Sequence, residues 1–154
     1  RCVFYKGNDS IGADGLNYPN NAPGLYIAPN SNELRVIMNT FDDIDEHVDI
    51  PNIPMNKWVH VTIMCENKKL NVYLNGLVAR SVSLTGVPKQ NYGNVYVCAN
   101  GGYDGYISKL TYYNRALTGA EIQDIVQKGP SVNMADGSNV SNKDAGYLSM
   151  RWYQ

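Results

Sequence analysis

No stretch of this sequence is apolar for long enough to cross a membrane as a helix or to form the core of a secretory signal, so membrane insertion is not expected. Charge of one sign is equally lacking: 13 Lys and Arg stand against 14 Asp and Glu over 154 residues, a formal net charge of −1. The basic residues are scattered, and without a basic stripe or patch nucleic acid is not an expected partner. Cysteine is scarce and odd in number, three in all. None of the close paired spacings that zinc requires is present. A disulfide between two of the three is compatible with the sequence and not demanded by it, while Cys65 and Cys98 fall on apparent strands, where a free thiol serves as a small buried hydrophobe. Histidine is limited to His47 and His60, and no Ser-His-Asp or Cys-His arrangement follows from their spacing.

What the sequence does contain is a series of short apolar runs, punctuated by glycine, proline and asparagine at regular intervals. That is the pattern of a sandwich of many strands. From Trp58 to Cys65 the residues alternate, with Val59, Val61, Ile63 and Cys65 on one face and His60, Thr62 and Met64 on the other. Leu70, Val72 and Leu74 supply the inward side of the next strand, and Asn75-Gly76 is the pair that favours a tight hairpin turn into Leu77–Leu84. Val95–Cys98 reads as a further strand, as does Val48–Ile53. One helix interrupts the series. Thr118 is an N-cap and Glu121 completes a capping box. Ile122, Ile125 and Val126 form an apolar stripe, Gly129 suits a left-handed C′ position, and Pro130 forbids continuation. The expected fold class is all-β, an antiparallel jelly-roll β-sandwich with one short C-terminal helix, in a chain long enough for one domain with a core of its own.

Four pieces of this pattern carry a resemblance. They are Lys57-Trp58-Val59-His60-Val61, Val72-Tyr73-Leu74-Asn75-Gly76, Tyr103-Asp104-Gly105-Tyr106-Ile107, and the run from Ile107 through Tyr113-Asn114-Arg115-Ala116-Leu117 into the capped helix. Together and in this order they resemble the laminin-G-like, concanavalin-A-like jelly-roll domains, over residues 1–130. The run from Ile107 reads as a final strand that turns at Asn114-Arg115 and leads into the capped helix. The resemblance implies that Arg1–Gly7 corresponds to the family's second strand, so the chain reads as a fragment of a longer polypeptide. Residues 131–154 then form a polar linker followed by a C-terminal strand or tail, in which Tyr147–Tyr153 is a candidate to fill the open edge. A looser similarity links Val48–Val61, Tyr73–Gly76 and Leu148–Gln154 to jelly-roll proteins of large algal DNA viruses.

Enzymes share this fold. Laminarinase-type hydrolases carry Glu-x-Asp-x-Glu on one strand, because retaining hydrolysis needs a nucleophile and a general acid a fixed short distance apart. Here alternation gives Asp43, Asp45, His47 and Asp49, so neither glutamate is in place and a solvated acidic loop is expected instead. Glu33-Leu34-Arg35 resembles one strand of alginate-lyase-type enzymes, whose other motifs are missing. Catalysis is therefore not expected. The relatives often hold calcium at the sandwich rim, which implies Asp42, Asp43, Asp45 and Asp104 as candidate ligands, with Asp9 and Asp14 in an early glycine-rich loop.

Twelve tyrosines against two phenylalanines favour a surface that is apolar in body and hydrogen-bonding at its tip. Tyr18, Tyr26, Tyr92 and Tyr103 lie near loops or strand ends beside Asn94 and Asn100, and these six are the candidate ligand-binding residues. Sugars stack on such rings while amides catch their hydroxyls, and the same mixture suits a protein interface. The expected function is a non-catalytic recognition module for a glycan or a surface protein, in an extracellular, cell-surface or virion setting. The alternatives are a building block among other subunits of an assembly, or an accessory module of a wall-degrading enzyme.

Overall fold

The structure, a computed structural model, describes residues 1–9, 12, 16 and 20–132. Asp14, Tyr18 and the C-terminal stretch that contains Tyr147–Tyr153 lie outside the described residues. The elements run β1 (Cys2–Gly7), β2 (Gly24–Ile27), β3 (Leu34–Ile37), β4 (His47–Ile50), β5 (Val61–Glu66), β6 (Lys69–Leu74), β7 (Leu77–Ser83), β8 (Asn94–Val97) and α1 (Gly119–Lys128). They form two antiparallel sheets, ordered β4-β3-β2-β1-β8 and β5-β6-β7. With the single described helix, this is the expected jelly-roll sandwich.

Strand alternation sorts the larger sheet into two rows. Val36, Leu25, Phe4 and Val97 lie side by side across β3, β2, β1 and β8, and the first three pack in the core shared with the smaller sheet. Ile37, Gly24, Tyr5 and Tyr96 form the adjacent row on the outer face. Between the sheets, Leu25, Leu34, Val36, Val48, Ile50, Leu70 and Val72 are buried together, each contributing about 1.5–3 kcal/mol by removal from water. The outer face is covered as well: Cys2, Tyr5, Tyr26 and Ile37 are buried with Leu16, Tyr96 and Ala99 against them. Tyr5 and Tyr96 stack at 5.0 Å between centroids. Gly24 is required in this row, since a Cβ there would meet Asn21 Oδ1 at 2.2 Å and the Tyr26 ring at 2.7 Å.

In the smaller sheet Val61, Ile63 and Cys65 turn toward the core, as their spacing predicts. Asn75 and Gly76 have φ of 49° and 83°, the two left-handed residues of a type I′ turn. That turn also limits β5. β6 ends at Leu74, so His60 meets the turn rather than a strand. Asn75 N–H donates to His60 O (2.8 Å) and His60 N–H to Asn75 Oδ1 (2.9 Å). Trp58, Val59 and His60 consequently precede the strand that their alternation predicts. The helix has its capping box and its Gly129 at φ 65°, and Ile122 is fully buried.

The run from Ile107 to the bend at Asn114-Arg115 differs from expectation: it is not a strand. Lys109 takes a left-handed φ of 54°, which breaks an extended run. Its neighbours turn toward the exit of α1, where Ser108 bonds Ser131 and Lys109 Nζ reaches Gly129 O at 2.8 Å. The acidic run Asp42–Glu46 is the solvated loop anticipated ahead of β4, which is shorter than the predicted Val48–Ile53.

Candidate functional site

A cleft of about 310 Å³ opens where β1 ends and β8 begins. Three separate segments build it, and each is held by backbone chemistry. Ala22 N–H donates to Lys6 O (3.1 Å) and Lys6 N–H to Pro23 O (3.0 Å), which ties residues 20–23 to the end of β1. Asn39 N–H donates to Asn21 O (2.8 Å), and Lys89 N–H to Asn39 O (2.9 Å), so the stretch after β3 joins both others. The loop before β8 is fastened to β1 twice: Asn91 Nδ2 donates to Lys6 O (3.1 Å) and Lys6 Nζ to Gly93 O (2.5 Å). Asn91 Oδ1 also accepts from Gly93 N–H at 2.7 Å. The approach is close enough that a Cβ on Gly93 would stand 2.3 Å from Gly7 O.

Amides dominate the lining. Asn8, Asn20, Asn39, Gln90 and Asn91 surround the space, with Lys89 and Tyr92. Asn20 Nδ2 donates to Asn8 Oδ1 (3.0 Å) across one wall. Asn39 differs from its neighbours. It is only 1% exposed, yet neither its Nδ2 nor its Oδ1 has a hydrogen-bond partner among the described residues. Leaving a buried amide unpaired costs about 1–3 kcal/mol per group, so the site holds unspent donor and acceptor capacity. Tyr92, 87% exposed, offers a bare ring at the mouth. Lys89 Nζ sits 5.6 Å from the centroid of the exposed Phe41 ring. Among the described lining residues there is no carboxylate. The arrangement can donate and accept hydrogen bonds with uncharged groups and stack an apolar face; it does not supply the carboxylate pair of a glycosidase.

Of the residues singled out in the sequence, Tyr92 lines this cleft, whereas Asn94 lies just beyond it at the start of β8. Tyr26 is a correction. It is 2% exposed, buried on the outer face of the larger sheet, and donates its hydroxyl to Asn21 Oδ1 at 2.6 Å, so it cannot meet a ligand at the surface. Asn100 occupies a left-handed turn position after β8. Tyr103 Oη donates to Tyr106 O (2.9 Å), and burial pushes its phenol above the usual tyrosine range. Of the candidate calcium ligands, Asp14 lies outside the described residues, and Asp42, Asp43, Asp45 and Asp104 belong to no metal-suited group of three among the described ones. Asp43 N–H donates to Thr40 Oγ1, Asp43 Oδ1 accepts from Asp45 N–H, and Asp104 lies far along the chain on an exposed turn. No group of three or more His, Cys, Asp or Glu side chains suited to a metal occurs among the described residues. Asp49 pairs with Arg35 through two 2.7 Å bonds, which, with the coulombic attraction, hold its carboxyl below the usual aspartate range. His60 is pushed down by burial.

Asn39, Asn8, Gln90 and Lys89 were not singled out as ligand-binding by the sequence pattern. The signal that marks Asn39 is its position, a polar residue directly after the apolar run Val36-Ile37-Met38.

The fold is similar to a solved S-layer domain-containing protein of Clostridium thermocellum (its residues 221–444), with 16% identity and a TM-score of 0.36. The match covers 68% of this chain and 55% of that one, so the chain spans little more than half the length of that structure. No curated protein matches the sequence. Nothing in these matches supports the similarity to algal-virus proteins. No described helix is long and apolar enough to cross a membrane. The family model that does match, over residues 6–123, comes from a superfamily whose description names both lectins and glucanases. By that match the chain belongs to the concanavalin A-like lectin/glucanases superfamily.

Proposed function

We propose that this domain is a non-catalytic carbohydrate-recognition module that takes a saccharide in the Asn39 cleft. The observation that carries this reading is the buried amide of Asn39, unpartnered among the described residues, in a cleft that the exposed Tyr92 also lines. A sugar supplies what both lack: hydroxyls that donate and accept at the floor, and a C–H face for the ring. Discrimination follows from the same physics, because a site built around hydrogen bonds rejects analogues that leave its buried polar groups unpaired. The setting that suits such a module is a larger extracellular, cell-surface or virion protein, where glycans are met. An accessory module beside a wall-degrading catalytic domain uses the same cleft in the same way. A rim calcium is not required by this reading, since the polar side chains of the described lining are amides, one lysine and one tyrosine.

A glycan panel probed with calcium and with EDTA tests the proposal. Saturable binding that ignores EDTA is expected, weakened about tenfold or more (roughly 1.4 kcal/mol) in both Asn39→Ala and Tyr92→Ala. Silence across a wide panel from a well-folded sample would sink it. Exposed Tyr106, Leu110 and Tyr112 favour a second reading, an assembly domain, and self-association detected by light scattering in the glycan-silent case would move the function there.

A further inference from the structure

Two of the three cysteines come together where β1 begins and β8 ends. β1 carries an irregularity between Cys2 and Phe4: Phe4 pairs with Leu25 and Cys2 with Tyr26, one step along β2 for two along β1. The irregularity turns Cys2 to the outer face, where it is buried with Tyr5, Tyr26 and Ile37, and Ala99 packs against them. On the other flank of β1 the register sets Phe4 opposite Val97, and one residue further Cys98 N–H donates to Val3 O at 2.9 Å. Burial pushes the Cys2 thiol above the usual cysteine range; the Ala99 backbone works against that, and Cys98 lies near enough to push it up further. Cys65 is elsewhere. It packs against the core between the sheets, so the larger sheet stands between it and the other two, and its thiol donates to Asn67 O at 3.8 Å.

The two thiols differ in access. Cys2 is 3% exposed, whereas Cys98 is open to solvent. Cys98 also takes a left-handed φ of 51°, a conformation uncommon for a residue with a Cβ and concentrated at functional positions. The chain then folds back on it: Gly102 N–H donates to Ala99 O at 3.1 Å, and a Cβ on Gly102 would stand 2.8 Å from the Cys98 Cβ. An accessible thiol beside a sheltered one is the arrangement of an attacking and a resolving cysteine.

We propose that Cys2 and Cys98 form a thiol–disulfide exchange site, which a small-molecule disulfide closes into a bond between β1 and β8. The Cys98 thiol loses its proton to solvent, and its thiolate attacks one sulfur of the incoming disulfide, breaking that S–S bond and releasing one thiolate. Cys2 then gives up its proton and attacks the Cys98 sulfur, displacing the second thiolate. The protein loses two electrons and two protons, and the small disulfide becomes two thiols. β8 is the edge strand of its sheet and pairs with β1 alone among the described strands, so the bond pins the strand that follows the cleft loop. The site is independent of any ligand in the Asn39 cleft.

Oxidised glutathione is the probe. The full chain is treated with it, quenched in acid, unfolded and alkylated with N-ethylmaleimide, and its intact mass is measured. A single maleimide adduct, on Cys65, is expected in place of the three on the reduced chain, with a peptide pair joined through Cys2 and Cys98. The oxidised chain should melt about 5 °C or more above the reduced one, because the bond closes a loop that contains most of the sandwich. In Cys2→Ser the reaction should stop with glutathione held on Cys98, and in Cys98→Ser the folded chain should keep Cys2 as a thiol. Cys2→Ala carries the same comparison if the serine variant does not fold. Three maleimide adducts after oxidation, glutathione retained on Cys98 of the unaltered chain, or a bridge to Cys65 would overturn the proposal. So would a dimer joined through Cys98 with Cys2 still a thiol.

Discussion

Asn39 concentrates the tension between stability and function in one side chain. Its backbone is fully engaged, with N–H to Asn21 O and carbonyl to Lys89 N–H, while its side-chain amide is buried without partners among the described residues. Asn39→Ala removes two unpaired polar groups and touches neither backbone bond. Folding stability should therefore stay level or rise, by up to about 1 kcal/mol, in the same variant that loses glycan affinity; urea denaturation beside a binding titration checks both. A drop of more than about 1 kcal/mol would mean that the amide is structural. Tyr26 teaches the opposite lesson. Its position near a loop looked accessible in sequence, but it pairs across the sheet with Cys2 and Arg35 and is sealed beneath the outer-face cover. Which face a strand residue takes depends on register, and register is a long-range property.

Elements whose chemistry is local were legible from the sequence. The Thr118–Glu121 capping box, the Gly129 stop and the Asn75-Gly76 turn each depend on residues within a few positions of one another. The strand expected from Ile107 to the turn at Asn114-Arg115 failed because Lys109 takes a left-handed φ of 54°, which sequence alternation does not announce. Between β3 and β4, a cross-strand ion pair adds to the strand pairing. Arg35 and Asp49 are directly opposite and doubly bonded. In the unfolded chain Asp49 titrates at the ordinary aspartate value, and in the fold it titrates lower. The pair therefore stabilises fully above the ordinary value, and this contribution is lost as pH falls through the depressed one. For a pair about one-third exposed, Asp49→Asn should cost about 0.5–1 kcal/mol at neutral pH. The gap to the unaltered protein should close as thermal melts are taken to strongly acidic pH.

At the scale of the whole molecule, the cleft was illegible for a reason that the fold makes plain. Its described lining comes from Asn8, Asn20 and Ala22, from Asn39 and from 89–93, residues that meet because β8 lies beside β1 and β2 beside both β1 and β3. The shared core holds that order. Leu70 and Val72 are fully buried between the sheets, and Leu70→Ala should cost about 2–5 kcal/mol, a large share of the total for a domain this size. Its denaturation midpoint should fall sharply while the affinity of the folded fraction is unchanged. A loss of affinity without a loss of stability would tie the core directly to the cleft.

The double fastening of the loop before β8 to the end of β1, through Asn91 and Lys6, has a thermodynamic corollary. Side chains and loops that are ordered before a ligand arrives do not have to be ordered by it, and ordering otherwise costs about 0.5–1.5 kcal/mol per rotamer-rich side chain. Under the proposed function the cleft is accordingly preorganised for its ligand, with the ordering of this loop completed during folding. Association should be fast for its affinity, and free and occupied forms should superpose closely along residues 88–93.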